Sequence, residues 1–219
     1  EHRPTVEITL PDGRIITGPR AANLEDFLRI IQKDQEPLIV GAIVDGSLRE
    51  LTYPISMDSR VIPLDMSDAD GARIYRRSLT FLLETAFSSC FPEAILTIDH
   101  SVSSGGYYCQ VSNHAPLNED ELHRIDKKMR ELIQNNEPFI REVVPIEEAV
   151  AYFTGQGEED KVKLLKYRQR KDLVLYRLGN HRDYHHGYMV PSSGYLKWYE
   201  LVLVKDAFIL RFPRRHSPN

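Results

Sequence analysis

The feature that most constrains this chain is a stripe of apolar residues in its first half. Leu79, Leu82, Leu83, Ala86, Phe87 and Cys90 recur at i, i+3, i+4, i+7, i+8 and i+11. That spacing lays side chains along one face of a helix, whereas a strand would scatter them over both of its faces. A helix with such a face must bury it against a second layer. The layer is supplied by strand-like segments at Ala94-Ile95-Leu96-Thr97-Ile98, Tyr107-Tyr108-Cys109-Gln110-Val111, Leu173-Val174-Leu175-Tyr176, Tyr199-Glu200-Leu201-Val202-Leu203-Val204 and Phe208-Ile209-Leu210-Arg211-Phe212. A second helix begins at Asn118-Glu119-Asp120-Glu121, an N-cap with an acidic first turn, and carries Leu122, Ile125, Met129, Leu132 and Ile133 on one side. Further helices are predicted from Pro145-Ile146-Glu147-Glu148 and over residues 158–167. From residue 71 onward the chain reads as α+β.

The segment ahead of it has a different grain. Thr5-Val6-Glu7-Ile8-Thr9-Leu10 alternates with period two, Pro11-Asp12-Gly13 is turn chemistry, and Arg14-Ile15-Ile16-Thr17 returns as a hairpin partner. Asn23 stands as an N-cap before Leu24, Phe27, Leu28 and Ile31 at helical spacing. Strands follow at residues 38–44 and 60–64, a pattern of ubiquitin-like β-grasp type. The polar stretch at residues 65–71 marks the boundary between the two parts.

With 42% hydrophobic and 27% charged residues in 219, the chain is not a disordered or low-complexity protein. No apolar run approaches the roughly 18 residues of a membrane span, and no signal-like stretch opens it. Cys90 and Cys109 alone make neither a disulfide framework nor a Cys-rich zinc site, so a reduced, cytoplasmic setting is expected. The start at Glu1-His2-Arg3 and the stop just past a basic cluster suggest a piece of something longer. The charge is uneven: residues 161–219 hold 13 basic and 4 acidic side chains on an otherwise acidic body. That quarter either faces phosphate or nucleic acid, or docks on acidic parts of the same chain. The dispersal of its lysines and arginines favours docking.

Reactive side chains are densest at His181-Arg182-Asp183-Tyr184-His185-His186-Gly187-Tyr188-Met189-Val190-Pro191. Three imidazoles beside an aspartate could hold zinc or move protons. An extended backbone would turn His185 and His186 to opposite faces, so no metal site is assigned and structural histidines around a turn are expected. Ser103-Ser104-Gly105-Gly106 reads as a hairpin loop. Arg73, Arg76 and Arg77 open the long helix, with Arg73 and Arg77 on one face. Lys161, Lys163, Lys166, Arg168, Arg170 and Lys171 around Leu164, Leu165 and Tyr167 suit an amphipathic surface helix as well as nucleic acid. Cys109 is expected to be inert packing. No phosphate-cradling G-x-x-x-x-G-K-[ST] loop, dinucleotide fingerprint or nucleophile elbow occurs.

Two resemblances follow from these residues. Residues 5–65, with Leu10-Pro11-Asp12-Gly13 and Ile43-Val44-Asp45-Gly46-Ser47-Leu48-Arg49-Glu50-Leu51, resemble the TGS domain at the front of threonyl-tRNA synthetases. Residues 71–213 resemble the editing domain of the same enzymes, through Arg76 and Ser78 with Leu82-Leu83, Gly106-Tyr107-Tyr108, Gly157-Glu158 with Lys161-Val162, and Asp183 with Gly187 and Val190-Pro191. The family's editing site carries H-x-x-x-H and C-x-x-x-H. In this chain the first pair falls on Arg77 and Phe81, the second on His185 and Met189. Arginine does not serve as a base near neutral pH, and phenylalanine moves no proton. Tyr108, Lys161 and Asp183 match family pocket residues. Longer stretches, among them Ile74-Tyr75-Arg76-Arg77-Ser78-Leu79, Ile98-Asp99-His100-Ser101-Val102 and residues 182–196, also resemble the front half of bacterial uridine kinase-like nucleoside kinases.

The expectation is an α+β fold: an N-terminal β-grasp TGS domain (1–66), an editing-like domain with an antiparallel sheet and a long helix (71–213), and a tail (214–219) leading to a C-terminal kinase domain that would use ATP and magnesium. The expected function is non-catalytic. A degenerate cleft lined by Arg77, Tyr108, Lys161, Asp183, His185 and His186 would bind a nucleotide or tRNA-like RNA and regulate the kinase, in the cytoplasm and away from membranes. The alternative is an aminoacyl-tRNA deacylase with a rearranged site built on His185 and Asp183, with His186 or His100. The discriminator between them is whether those imidazoles converge on one cavity.

Overall fold

The computed structural model describes residues 3–34, 36–103 and 105–214. Ser104 of the expected hairpin loop and the tail beyond Arg214 lie outside the described residues. β1 (Thr5–Thr9) and β2 (Ile15–Pro19) pair antiparallel around the turn at Gly13. β1 also runs parallel to β7 (Ser59–Leu64). β4 (Gly41–Val44) lies antiparallel between β7 and β5 (Ser47–Arg49), giving the order β2-β1-β7-β4-β5. The short helix α1 (Leu24–Leu28) sets Leu24, Phe27 and Leu28 into a core with Val6, Ile8, Ala42 and Val44. This is a β-grasp arrangement.

α1 ends three residues short of Ile31, and the expected cap at Asn23 is not made by its side chain. Asn23 belongs to β3 (Ala22–Asn23), paired with β6 (Pro54–Ile55). The carbonyls of Tyr53 and Leu51 accept from the amides of Leu24 and Glu25, so those helix donors are satisfied by the neighbouring chain instead.

α2 (Ala69–Cys90) starts inside the polar stretch. A Cβ on Gly71 would sit 1.8 Å from the Asp65 carbonyl oxygen, so only glycine lets this helix begin so close behind β7. Leu79, Leu82, Leu83 and Ala86 of the apolar stripe are fully buried. The same core takes in Ile125 and Met129 of α3 (Glu119–Asn135), and Cys109, Phe208 and Leu210 of a four-stranded antiparallel sheet. That sheet is formed by β8 (Ile95–Ser101), β9 (Tyr107–Ser112), β13 (Glu200–Val204) and β14 (Ala207–Arg211), in the order β13-β14-β9-β8. α3 opens on the expected capping box, Asn118 and Glu121 bonding each other's backbone amides. Burial pushes the Cys109 thiol up to about 12, which keeps it protonated and inert.

A second antiparallel sheet has the order β10-β11-β12, from β10 (Ile140–Pro145), β11 (Asp172–Leu178) and β12 (His181–Tyr184). α4 (Ile146–Gly155) and α5 (Glu159–Lys166) pack on it through Ala149, Phe153 and Leu165. Here the basic last quarter meets the acidic body. Arg182 donates to Glu142 (2.7 Å) and Glu148 (3.0 Å), and Arg177 pairs with Glu142 at 3.3 Å. The two parts of the chain are joined by two phenols, Tyr176 buried and Tyr195 half-buried: Tyr176 donates to Glu50 at 2.7 Å and Tyr195 to Glu25 at 2.8 Å. Burial, reinforced by those carboxylates, drives both phenols well above the usual tyrosine value, so both remain donors. No helix is long and apolar enough to cross a membrane, among the described residues.

Candidate functional site

One face of α2 below its first turn carries Arg73, Arg77, Thr80 and Glu84, spaced by four, three and four residues. With Arg76 they form one wall of a 510 Å³ cleft, closed by Ile98 and Asp99 of β8, Tyr107 of β9 and His185 just after β12. The guanidinium groups are held rather than loose. Arg73 pairs with Asp70 at 2.6 Å, Arg76 lies 5.4 Å over the Phe212 ring, and Arg77 donates to the Tyr188 carbonyl at 2.6 Å. Burial lowers Arg77 from the ordinary arginine value, yet its charge persists at neutral pH. Gly187 makes this placement possible: its φ is +96°, and a Cβ there would lie 2.6 Å from the Arg77 guanidinium carbon.

The inner end of the cleft is set by strand alternation. Along β12 His181 and Asp183 share one face and Arg182 and Tyr184 the other; just past the strand His185 reaches Glu84 on the first side, whereas His186 contacts Tyr184 on the second. His185 Nε2 lies 3.5 Å from Glu84 Oε2, and His181 Nε2 lies 3.9 Å from the same oxygen. Glu84, Asp183 and His185 each bring a ligand-type atom within 4.8 Å of the others. Glu84 Oε2 and His181 Nε2 are both buried with no hydrogen-bond partner, an arrangement that normally costs free energy. Burial lowers His181 below the usual histidine value, against the pull of Glu84 and Asp183, so its ring is neutral near pH 7. Asp183 accepts from Lys161 at 2.6 Å and from the Tyr184 amide at 2.6 Å, and Lys161 also reaches Glu158 at 2.5 Å. Burial pulls the Lys161 ammonium down, but the Asp183 and Glu158 carboxylates outweigh it and raise it overall.

Of the six residues expected in the cleft, Arg77 and His185 line it and the Lys161–Asp183 pair stands directly behind His185. Tyr108 does not line the cleft. Neighbouring residues of β9 face opposite ways, so Tyr107 lines it while Tyr108 stacks on His100 at 5.4 Å. His186 also points away and contacts Tyr184 and Arg168. His100 and His186 therefore do not join the cluster, and the imidazoles that converge are His181 and His185. Phe81 is fully buried, its ring centroid 4.9 Å from that of His181, 5.3 Å from that of His185 and 5.9 Å from that of Phe139. Met189 is buried likewise. Glu84 escaped the sequence reading, although it is the single charged residue between positions 78 and 92 and falls on the arginine stripe.

The similarity is to threonine–tRNA ligases. The chain is 35% identical over 206 residues to that of Polaromonas naphthalenivorans, covering 93% of this chain and 32% of the relative. It is 34% identical over 202 residues to that of Polynucleobacter asymbioticus (92% and 31%) and 33% identical over 208 residues to that of Delftia acidovorans (93% and 32%). The chain thus spans about a third of the length of these relatives. No family model matches it. These matches bear on the synthetase resemblance, and with it on the TGS and editing-like reading of the two parts.

Proposed function

We propose that the cleft receives the 3′ end of an aminoacylated tRNA and hydrolyses its ester with a rearranged set of groups. The observation that carries this is the approach of His185 to Glu84, both lining an arginine-walled cleft, with His181 reaching the same Glu84 oxygen from behind that wall. Arg73 and Arg76 suit the terminal phosphates, which arginine grips through paired N–H groups. Tyr107 offers a ring for the terminal base or ribose. His185 turns Nε2 towards Glu84, and in this reading its Nδ1 serves as the proton acceptor. In this reading Nδ1 takes a proton from the attacking water as its oxygen bonds to the ester carbonyl carbon. Glu84 steadies the resulting imidazolium, and Arg77 faces the charge that grows on the carbonyl oxygen. The bond to the ribose oxygen then breaks, and that oxygen takes the proton back from His185.

The test is release of amino acid from mischarged tRNA at catalytic enzyme concentration. His185→Ala and Glu84→Gln should each slow it by about a hundredfold or more, the usual scale of general-base loss. Wild-type protein that binds the tRNA without accelerating hydrolysis would defeat the proposal. It would favour instead a non-catalytic ligand-binding cleft, a second reading supported by Phe81 and Met189, buried where the synthetase family carries histidines. Division of the chain into a TGS unit (1–66) and an editing-like unit (71–213), and a cytoplasmic setting with tRNA, belong to the same proposal. Attachment through 214–219 to an ATP- and magnesium-dependent nucleoside kinase rests on the sequence stretches alone, and phosphorylation of uridine by the full gene product tests it.

A further inference from the structure

We infer that Glu84, His185 and Asp183, with His181 beside them, form a binding site for a single divalent metal ion of the zinc class. Imidazole nitrogen and carboxylate oxygen are the donor set that such ions take, and zinc binds them at about 2.0–2.2 Å in a tetrahedron. Two donors on one tetrahedral ion then stand roughly 3.4 Å apart. His185 Nε2 and Glu84 Oε2 already stand at 3.5 Å and His181 Nε2 is 3.9 Å from that oxygen, while Asp183 is within 4.8 Å and needs a small side-chain turn. One further fact separates this group from an ordinary surface cluster. Glu84 Oε2 and His181 Nε2 are buried and lack hydrogen-bond partners, so both have unspent donor capacity.

Lys161 is the obvious objection, since its ammonium occupies Asp183. It has a second anchor, however. Glu158 lies 2.5 Å from the same nitrogen and retains it when Asp183 turns to the ion. An ion on His185 Nε2 would put the ring proton on Nδ1 and so replace the His185 route to hydrolysis: its bound water, with a pKa falling towards about 7, would supply the hydroxide instead. The inference itself does not depend on that reaction, and its test uses no substrate.

Chelator-treated whole chain is titrated with zinc against a chromophoric competitor, and with cobalt to read tetrahedral visible absorption. The expected result is one ion per chain. Glu84→Gln and His185→Gln should each weaken binding by about a hundredfold, and His181→Asn by about tenfold, as for loss of a supporting partner. Lys161→Met should tighten it, and His186→Ala, on the opposite face, should leave it unchanged. Melting curves establish that each variant folds, and the two glutamine variants are judged separately so that one misfolded protein leaves the other decisive. Uptake well below one equivalent overturns the inference. So does wild-type affinity in both glutamine variants, or equal loss in His186→Ala. Zinc uptake without hydrolysis leaves this site standing and removes the deacylase reading; hydrolysis by the chelated protein with no uptake does the reverse.

Discussion

Replacing Gly187 with alanine tests whether the cleft cation is seated by an absent side chain. Two terms add. Alanine at φ +96° is strained by about 1–3 kcal/mol. The new Cβ would lie 2.6–2.8 Å from three atoms of the Arg77 guanidinium, which must withdraw and give up its 2.6 Å bond to the Tyr188 carbonyl. A charge-assisted bond of that kind contributes about 1.5–3 kcal/mol. Gly187→Ala should therefore cost about 2.5–6 kcal/mol in urea unfolding. Arg77→Ala alone should cost about 1.5–3 kcal/mol by loss of the same bond. Because both changes remove one interaction, the double variant should be no worse than Gly187→Ala, leaving a coupling of about 1.5–3 kcal/mol in the cycle. If the two costs instead add to within about 0.5 kcal/mol, the guanidinium is not what Gly187 accommodates, and this account of the cleft wall is wrong.

Phe81→Ala should lose about 3–5 kcal/mol of stability in denaturant melts, since a fully buried ring is removed beside Phe139, His181 and His185. For His181, the folded-state value lies below the unfolded one near 6.5, so the unfolded chain binds the extra proton first. Stability should be full above about pH 6.5 and fall as pH drops from there through the depressed folded value. A thermal-melt series from pH 8 to 5 should show a shallower decline for His181→Asn than for wild type. Glu50→Gln should cost about 1–3 kcal/mol by weakening the buried bond from Tyr176, read in the same melts. Asn118→Ala should cost about 1 kcal/mol through loss of the α3 capping box.

The long helices were legible because their apolar spacing is local: Leu79 to Cys90 and Leu122 to Ile133 each announce a buried face without help from the rest of the chain. The hairpin at Gly13 was equally local. β12 was not, since His-Arg-Asp-Tyr has no apolar alternation and becomes a strand only by pairing with β11. β10 is marked only by Ile140, Val143 and Val144, which do not alternate, and it runs straight into the helix at Pro145. The cleft was half visible. Arg77, Asp183 and His185 could be placed by resemblance, but choosing Tyr107 over Tyr108 requires the phase of β9. Glu84 acquires its role only from residues a hundred positions away. His185 and His186 do part company, towards Glu84 and Tyr184 respectively, although β12 ends at Tyr184 just before them.

Tyr188 touches both parts of the molecule at once. Its phenol accepts from Arg49 of β5 at 3.3 Å, and its carbonyl accepts from Arg77 inside the cleft. A partner that tilted the front unit by even a fraction of an ångström would tug on that tyrosine. The tug would reach the guanidinium through one residue's own covalent frame, with no relay between. One tyrosine therefore ties the front unit to the wall of the cleft, its ring end held by Arg49 and its backbone end by Arg77.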